Sequence, residues 1–253
     1  MTGGGYSGGR PGDESMGMFD FFLSEEKKIA KHQRRLTNRD AQPEDREASA
    51  RWLVDQGSPQ SLLALLARFD VSLDHQLKDK GEKELVYALA SSQGAEHMSA
   101  PLDVWLRQCR SVALPLRLLE DLEGKDTAVK MACDLLEVER KRDDFKPEKK
   151  KTLLIWLAGI RNEQCQPTAS PFLDDFDEGV RYAASEVIIA QKNVSGCLPL
   201  LGVVLNPDED SNRLKIRICE VVEQRGWDVS GVEGLEERLP ANFTVQKGRL
   251  IRS

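Results

Sequence analysis

The stretch 177–189 constrains this chain more than any other. Val180, Ala183, Ala184, Val187 and Ile188 fall at i, i+3, i+4, i+7 and i+8, which lines one face of a helix with apolar side chains. Asp174, Asp175, Asp177 and Glu178 lead into it, supplying an N-cap and negative charge at the positive end of the helix dipole. Two adjacent alanines leave little bulk in mid-helix, so a second helix can approach closely. The stretch is also repeated. A shift of 30 residues lays Lys151 on Arg181, Leu154 on Ala184 and Leu157 on Val187; a shift of 34 lays Lys215 on Arg181, Ile218 on Ala184 and Val221 on Val187. A basic residue therefore recurs at one position. Near the front, 44–57 gives a fourth copy, with Ala50 and Leu53 in the Ala184 and Val187 positions.

Each copy is followed, after a Gly, Pro, Ser or Asn break, by a second apolar run: 59–69, 168–176 and 196–205. The segments 83–92 with 101–109, and 114–122 with 127–139, have matching lengths. A helix, turn and helix at 30 to 35 residues cannot bury its apolar face alone and must stack on its neighbours. The expected fold is all-α: a right-handed α-solenoid of about six helix pairs over 44–227. At 253 residues, with 40% hydrophobic and only 6% aromatic side chains, the chain suits one continuous helix-packed core, hence a single elongated domain.

Asp177, Val180, Arg181, Ala184 and Val187 together resemble the first helix of a HEAT repeat, and the chain is similar to uncharacterised bacterial HEAT-repeat proteins. The resemblance spans roughly 44–227 and is specific at 177–189. It implies a non-enzymatic scaffold or adaptor whose second helices line a concave surface that binds another protein. It also implies that Arg181, with Lys151 and Lys215 in the same slot, bonds to the acidic turn of a neighbouring repeat, Asp177 being the nearest such residue. A rival follows from the same resemblance: some HEAT-like proteins bind nucleic acid or are DNA glycosylases with a basic concave groove, and others are bilin lyases. The glycosylase reading needs Lys, Arg and aromatic side chains on one face, whereas Trp52, Trp105, Trp156 and Trp227 occupy apolar helical positions that read as core.

Outside the repeats, residues 1–17 are a Gly-rich leader without apolar periodicity, expected to be disordered, with Met16 and Met18 as alternative starts. Residues 18–39 form an amphipathic basic element. Phe19, Phe21, Phe22 and Leu23 precede Lys27, Lys28, Lys31, Arg34, Arg35 and Arg39, with Ser24 read as a helix N-cap. One reading makes it the cap of the first repeat. The other makes it a docking element for a partner groove or an anionic membrane surface. Residues 71–84 read as a polar connection broken at Gly81, and 139–151 as a charged turn. Residues 228–253 read as a short helix followed by an extended tail or hairpin.

The formal net charge of −6 argues against obligate nucleic-acid binding. No run reaches the ~20 apolar residues of a membrane span. The five cysteines, Cys109, Cys133, Cys165, Cys197 and Cys219, form no Cys-x-x-Cys pair and read as small buried hydrophobes in a reduced cytoplasm. His32, His75 and His97 lack partners at metal-ligand spacing and read as surface residues, and the acidic runs 174–178 and 207–212 read as capping turns. No cofactor, metal or catalytic motif is expected. If 101–110 and 127–139 line a binding surface, Arg107, Arg110 and Lys130 are the side chains placed to meet an acidic partner.

Overall fold

The computed structural model describes the backbone of residues 14–142 and 147–253, and side chains from Glu25 onward within those ranges. Phe19, Phe21, Phe22 and Leu23, and part of the 139–151 run, therefore lie outside the described side chains. The described residues are all-α apart from a terminal hairpin. The chain forms two compact units, 1–105 and 106–253.

In the first unit α1 (Glu14–Thr37) lies along α2 (Pro43–Gln56) and α3 (Pro59–Leu66), followed by a 3-10 turn (Ala67–Asp70), α4 (Gln76–Ser91) and α5 (Gly94–Gln108), which continues past the unit boundary. Ser24 falls inside α1, not at its start. Its inward residues Ile29, His32 and Leu36 recur at helical spacing, and Leu36 is 2% exposed. His32 is not a surface residue as expected. Its ring stacks on Trp52 with centroids 4.1 Å apart, and Nδ1 meets Ser49 Oγ at 3.3 Å. Burial, with the nearby charges of Arg35 and Lys31, pushes the His32 pKa below its ordinary value, so it sits neutral in this joint.

Residues 76–84, expected as a connection broken at Gly81, are helical. Gly81 lies within α4. A mid-helix glycine costs about 1 kcal/mol, but Asp79 and Glu82, three residues apart on one helix face, are held from outside. Arg68, fully buried, donates to Asp79 Oδ1 at 2.8 Å and to Glu82 Oε2 at 3.2 Å, and Arg46 binds Glu82 with two hydrogen bonds. Tertiary ion pairs thus override the local break.

In the second unit α8 (Pro147–Ala158), α10 (Glu178–Gln191) and α12 (Asn212–Arg225) lie side by side, with α6 (Ala113–Glu123) against α8. A second layer holds α7 (Lys125–Arg140), the short α9 (Cys165–Ala169) with its 3-10 extension to Asp174, α11 (Cys197–Leu205) and α13 (Leu235–Arg238). Helix α10 is specified at both ends: Asp177 accepts the Val180 N–H at 3.0 Å, and Lys192 closes it in the left-handed region. Ser211 and Gly226 do the same for α12. The apolar stripe read from sequence is the buried face of α10, with Val180, Ala184, Val187 and Ile188 each at 0% exposure.

The tail is a hairpin. Strands β1 (Phe243–Gln246) and β2 (Arg249–Arg252) pair antiparallel around Lys247-Gly248, both at positive φ, as a two-residue turn of this hand requires. A lone hairpin is marginal in water. This one buries Phe243 and Leu250 and is tied to α12 by the Arg252 N–H on Glu223 Oε1 at 3.0 Å. Because α1 covers α2 and α3, removing residues 1–39 should expose Trp52 and Leu53, lower the melting temperature and promote aggregation. An unchanged melt with no red shift of tryptophan emission would show that α1 adds nothing to the fold.

Candidate functional site

At Arg46, Lys150 and Arg181 the recurring basic residue joins its helix to a carboxylate of another. Arg46, Lys150, Arg181 and Lys215 each occupy the fourth position of their helix. Sequence alignment puts Lys151 in this slot; Lys150 is the one that meets the carboxylate ahead of α10. Lys150 donates to Asp175 Oδ2 at 3.0 Å, both side chains being 7% exposed. Lys151 is half-buried and runs across Gly179, where an added Cβ would lie 3.2 Å from its Cδ.

Arg181 repeats the arrangement one helix on. Its Nε and Nη2 donate to Glu209 at 2.7 and 2.9 Å, and Nη1 donates to the carbonyls of Asp175 and Phe176 at 2.9 and 3.1 Å. The partner is the carboxylate ahead of the next helix, not Asp177, which is occupied as the N-cap. Asp175 and Glu209 hold equivalent places. Each lies two residues before an N-cap and accepts that residue's N–H, from Asp177 at 3.0 Å and from Ser211 at 2.8 Å. One carboxylate therefore ties a helix start to the helix before it. Arg46 is the counterpart in the first unit, 3% exposed, binding Glu82 and the carbonyls of Asn38, Arg39 and Ala41.

Burial pushes the Glu209 carboxyl up, but hydrogen bonds from Arg181 and Ser211 and the charges of Arg181 and Lys215 bring it net below its ordinary value. Glu82 and Asp79 are likewise net lowered, by Arg46 with Arg68 and by Lys83 with Arg68. The thiols go the other way. Burial raises Cys133, Cys165, Cys197 and Cys219, with Cys165 at about 11 and Cys219 at about 12, and none of the five cysteines is in a disulfide. Thiols so raised carry almost no thiolate at neutral pH, so they are packing groups, not nucleophiles.

The expected partner-binding residues Arg107, Arg110 and Lys130 are exposed, on the last turn of α5, on the connection after it and on α7. The Arg107 carbonyl accepts from Lys149 Nζ at 3.4 Å. Trp105 and Trp227 are buried as expected of core, while Trp52 and Trp156 are half-buried.

A recess that the sequence did not announce lies where the turn after α8 meets the turn after α10. It holds roughly 510 Å³ and is lined by Arg161, Asn162, Gln166, Pro167, Asn193 and Ser195, among others. Amide hydrogen bonds fix its walls: Gln191 accepts the Asn162 N–H at 3.0 Å and donates to the Ile160 carbonyl at 2.9 Å, and Gln166 Nε2 meets Ser195 Oγ at 3.1 Å. Val194, between the lining residues Asn193 and Ser195, is 66% exposed, and Leu198, in the first turn of α11, is 70% exposed. Residues 196–205 are apolar all round, so periodicity alone gives no sign that Leu198 faces outward. Among the described residues no group of His, Cys, Asp and Glu is placed to hold a metal ion, and no helix is long and apolar enough to cross a membrane.

Among solved structures the chain is similar to a TOG domain from C. elegans Zyg9, at TM-score 0.44 and 20% identity, covering 83% of this chain and 88% of that one. No family model matches the chain, and no curated protein matches it.

Truncating one partner of a buried pair strands the other charge and costs about 3 to 5 kcal/mol. Arg181→Ala should therefore lower stability by about 3 kcal/mol in urea melts, and Lys215→Ala by less than about 1. Equal losses would remove the special status of the Arg181–Glu209 pair. The lowered carboxyls set a pH dependence as well. Their contribution is complete above the ordinary carboxylate range of about 4 and is lost as pH falls through their depressed folded values. Unfolding free energy should thus drop steeply below about pH 4, and less steeply in Arg181→Ala, where Glu209 loses the partner that lowers it.

Proposed function

We propose that this chain is a non-enzymatic scaffold or adaptor that binds another protein, and that the recess between the α8 and α10 turns, together with the exposed Val194 and Leu198, is a contact site. The carrying observation is that Val194, between the recess-lining Asn193 and Ser195, and Leu198 four residues on are large apolar side chains standing out in water, while the walls of the polar recess are already fixed. Burying each is worth about 1.5 to 3 kcal/mol, and the fixed walls spare a partner the cost of ordering them. The shifted titratable groups support a structural role for the rest. Each is explained by an ion pair between helices, a neighbouring charge, a turn hydrogen bond or plain burial, and none faces this recess.

The basic residues speak against the nucleic-acid alternative within the repeats. Arg46, Arg68, Lys150, Arg181 and Arg217 are each committed to a carboxylate, which leaves them little to offer phosphate. Five cysteines outside any disulfide fit a reducing compartment such as the cytoplasm. Arg107, Arg110 and Lys130 form a second proposed contact region, for an acidic segment of the partner.

Affinity capture with the full chain, read by mass spectrometry, tests this. A partner held by the wild type should be lost or weakened at least tenfold by the double substitution Val194→Asp with Leu198→Asp, at unchanged helicity. Charge reversal at Arg107, Arg110 and Lys130 should weaken the same partner more at low salt than at high salt. A partner that binds all three proteins alike would sink both contact regions.

A further inference from the structure

Helix α1 has a second face. Opposite the side that packs on α2, Lys27, Lys31 and Arg34 recur at i, i+4 and i+7, all exposed, with Lys28 and Arg35 beside them. Lys27, Lys31 and Arg34 border a shallow depression of about 410 Å³ with Glu26 and Ala30. Of these five cations Arg35 reaches Asp45 at 3.7 Å in an exposed pair; among the described residues no ion pair joins the other four to a carboxylate. That is the reverse of the joints, where Arg46 and Arg181 each meet a carboxylate through two hydrogen bonds. The surplus charge is felt inside the joint, since Arg35 and Lys31 both push the His32 pKa down.

We propose that this face of α1 docks on the surface of an anionic phospholipid bilayer. The stripe spans about 10 Å of helix and stands outward from the fold, so a planar charged surface meets its cations together. Between 25 and 39 six basic residues stand against Glu25 and Glu26 and Asp-free sequence, in a chain whose formal net charge is −6. An anionic surface therefore attracts α1 and repels the remainder, which orients the molecule. The residues directly ahead in the sequence favour lipid over nucleic acid. Met16, Met18, Phe19, Phe21, Phe22 and Leu23 fall within eight positions, the apolar complement that an interfacial helix requires and a phosphate backbone does not.

The test is vesicle co-sedimentation of the full chain with phosphatidylcholine alone and with phosphatidylcholine containing 30% phosphatidylserine, about the anionic fraction of a charged leaflet. Binding should be at least tenfold stronger to the anionic vesicles and should fall with added salt. The triple substitution Lys27→Glu, Lys31→Glu, Arg34→Glu should lose on the order of 100-fold in partitioning, with helicity and melt unchanged because the three side chains are exposed. Reversal of Lys78, Lys80 and Lys125, equally exposed and elsewhere, should leave partitioning within about twofold of the wild type. Equal binding to both vesicles, no binding to either, or an undiminished triple variant overturns the proposal. So does tighter binding to a random DNA duplex than to the anionic vesicles. Neither vesicle result depends on Val194 or Leu198, so this inference and the protein-binding one fail separately.

Discussion

The fold of the second unit depends on a cation at the fourth position of one helix meeting a carboxylate two residues ahead of the next helix cap. The carboxylate has two tasks. Asp175 and Glu209 each accept the N–H of the following N-cap residue and the charged donor of the preceding helix. A helix start leaves its first N–H groups without intrahelical partners, so supplying one from the same group that holds the neighbouring helix couples local to tertiary order. Apolar burial drives the helices together without fixing direction; these directional bonds fix how one helix sits along the next.

This use of charge also bears on function. A protein can contain many arginines and offer few of them. Arg46, Arg68 and Arg181 are charged and buried or nearly so, and their donors are taken by carboxylates and loop carbonyls. Buried pairs of this kind are weak evidence for stability over an apolar alternative. Two of the proposed contact surfaces are of other kinds: the amide-walled recess with Val194 and Leu198, and the outward stripe of α1. The two differ in physics, since the first gains by removing apolar surface from water and the second by charge, so salt separates them.

Much of the architecture was legible in the sequence because it rests on local rules. The 3.6-residue stripe of 177–189, the capping residues Asp177 and Ser211 and the glycine after α12 state where helices run and which face is buried. The recurrence near 30 residues states that they pack in series. The Lys247-Gly248 pair, flanked by Val245 and Leu250, was readable as a turn between short strands, but only the contact of β2 with α12 made it a hairpin and not a loose tail.

What tertiary structure alone decided was every question of one residue's rotation or of distant charge. Alignment puts Lys151 in the repeated slot, but it is Lys150 that lies against Asp175. Gly81 signals a break until Arg46 and Arg68, 35 and 13 residues earlier in the chain, bind Glu82 and hold it in a helix. His32 reads as exposed until Trp52 lies against it. Leu198 belongs to a segment that is apolar all round, so no period can say which side meets water. Sequence periodicity reports the repeat of a helix, whereas partners and exposure depend on what another helix places opposite, and that information is not local.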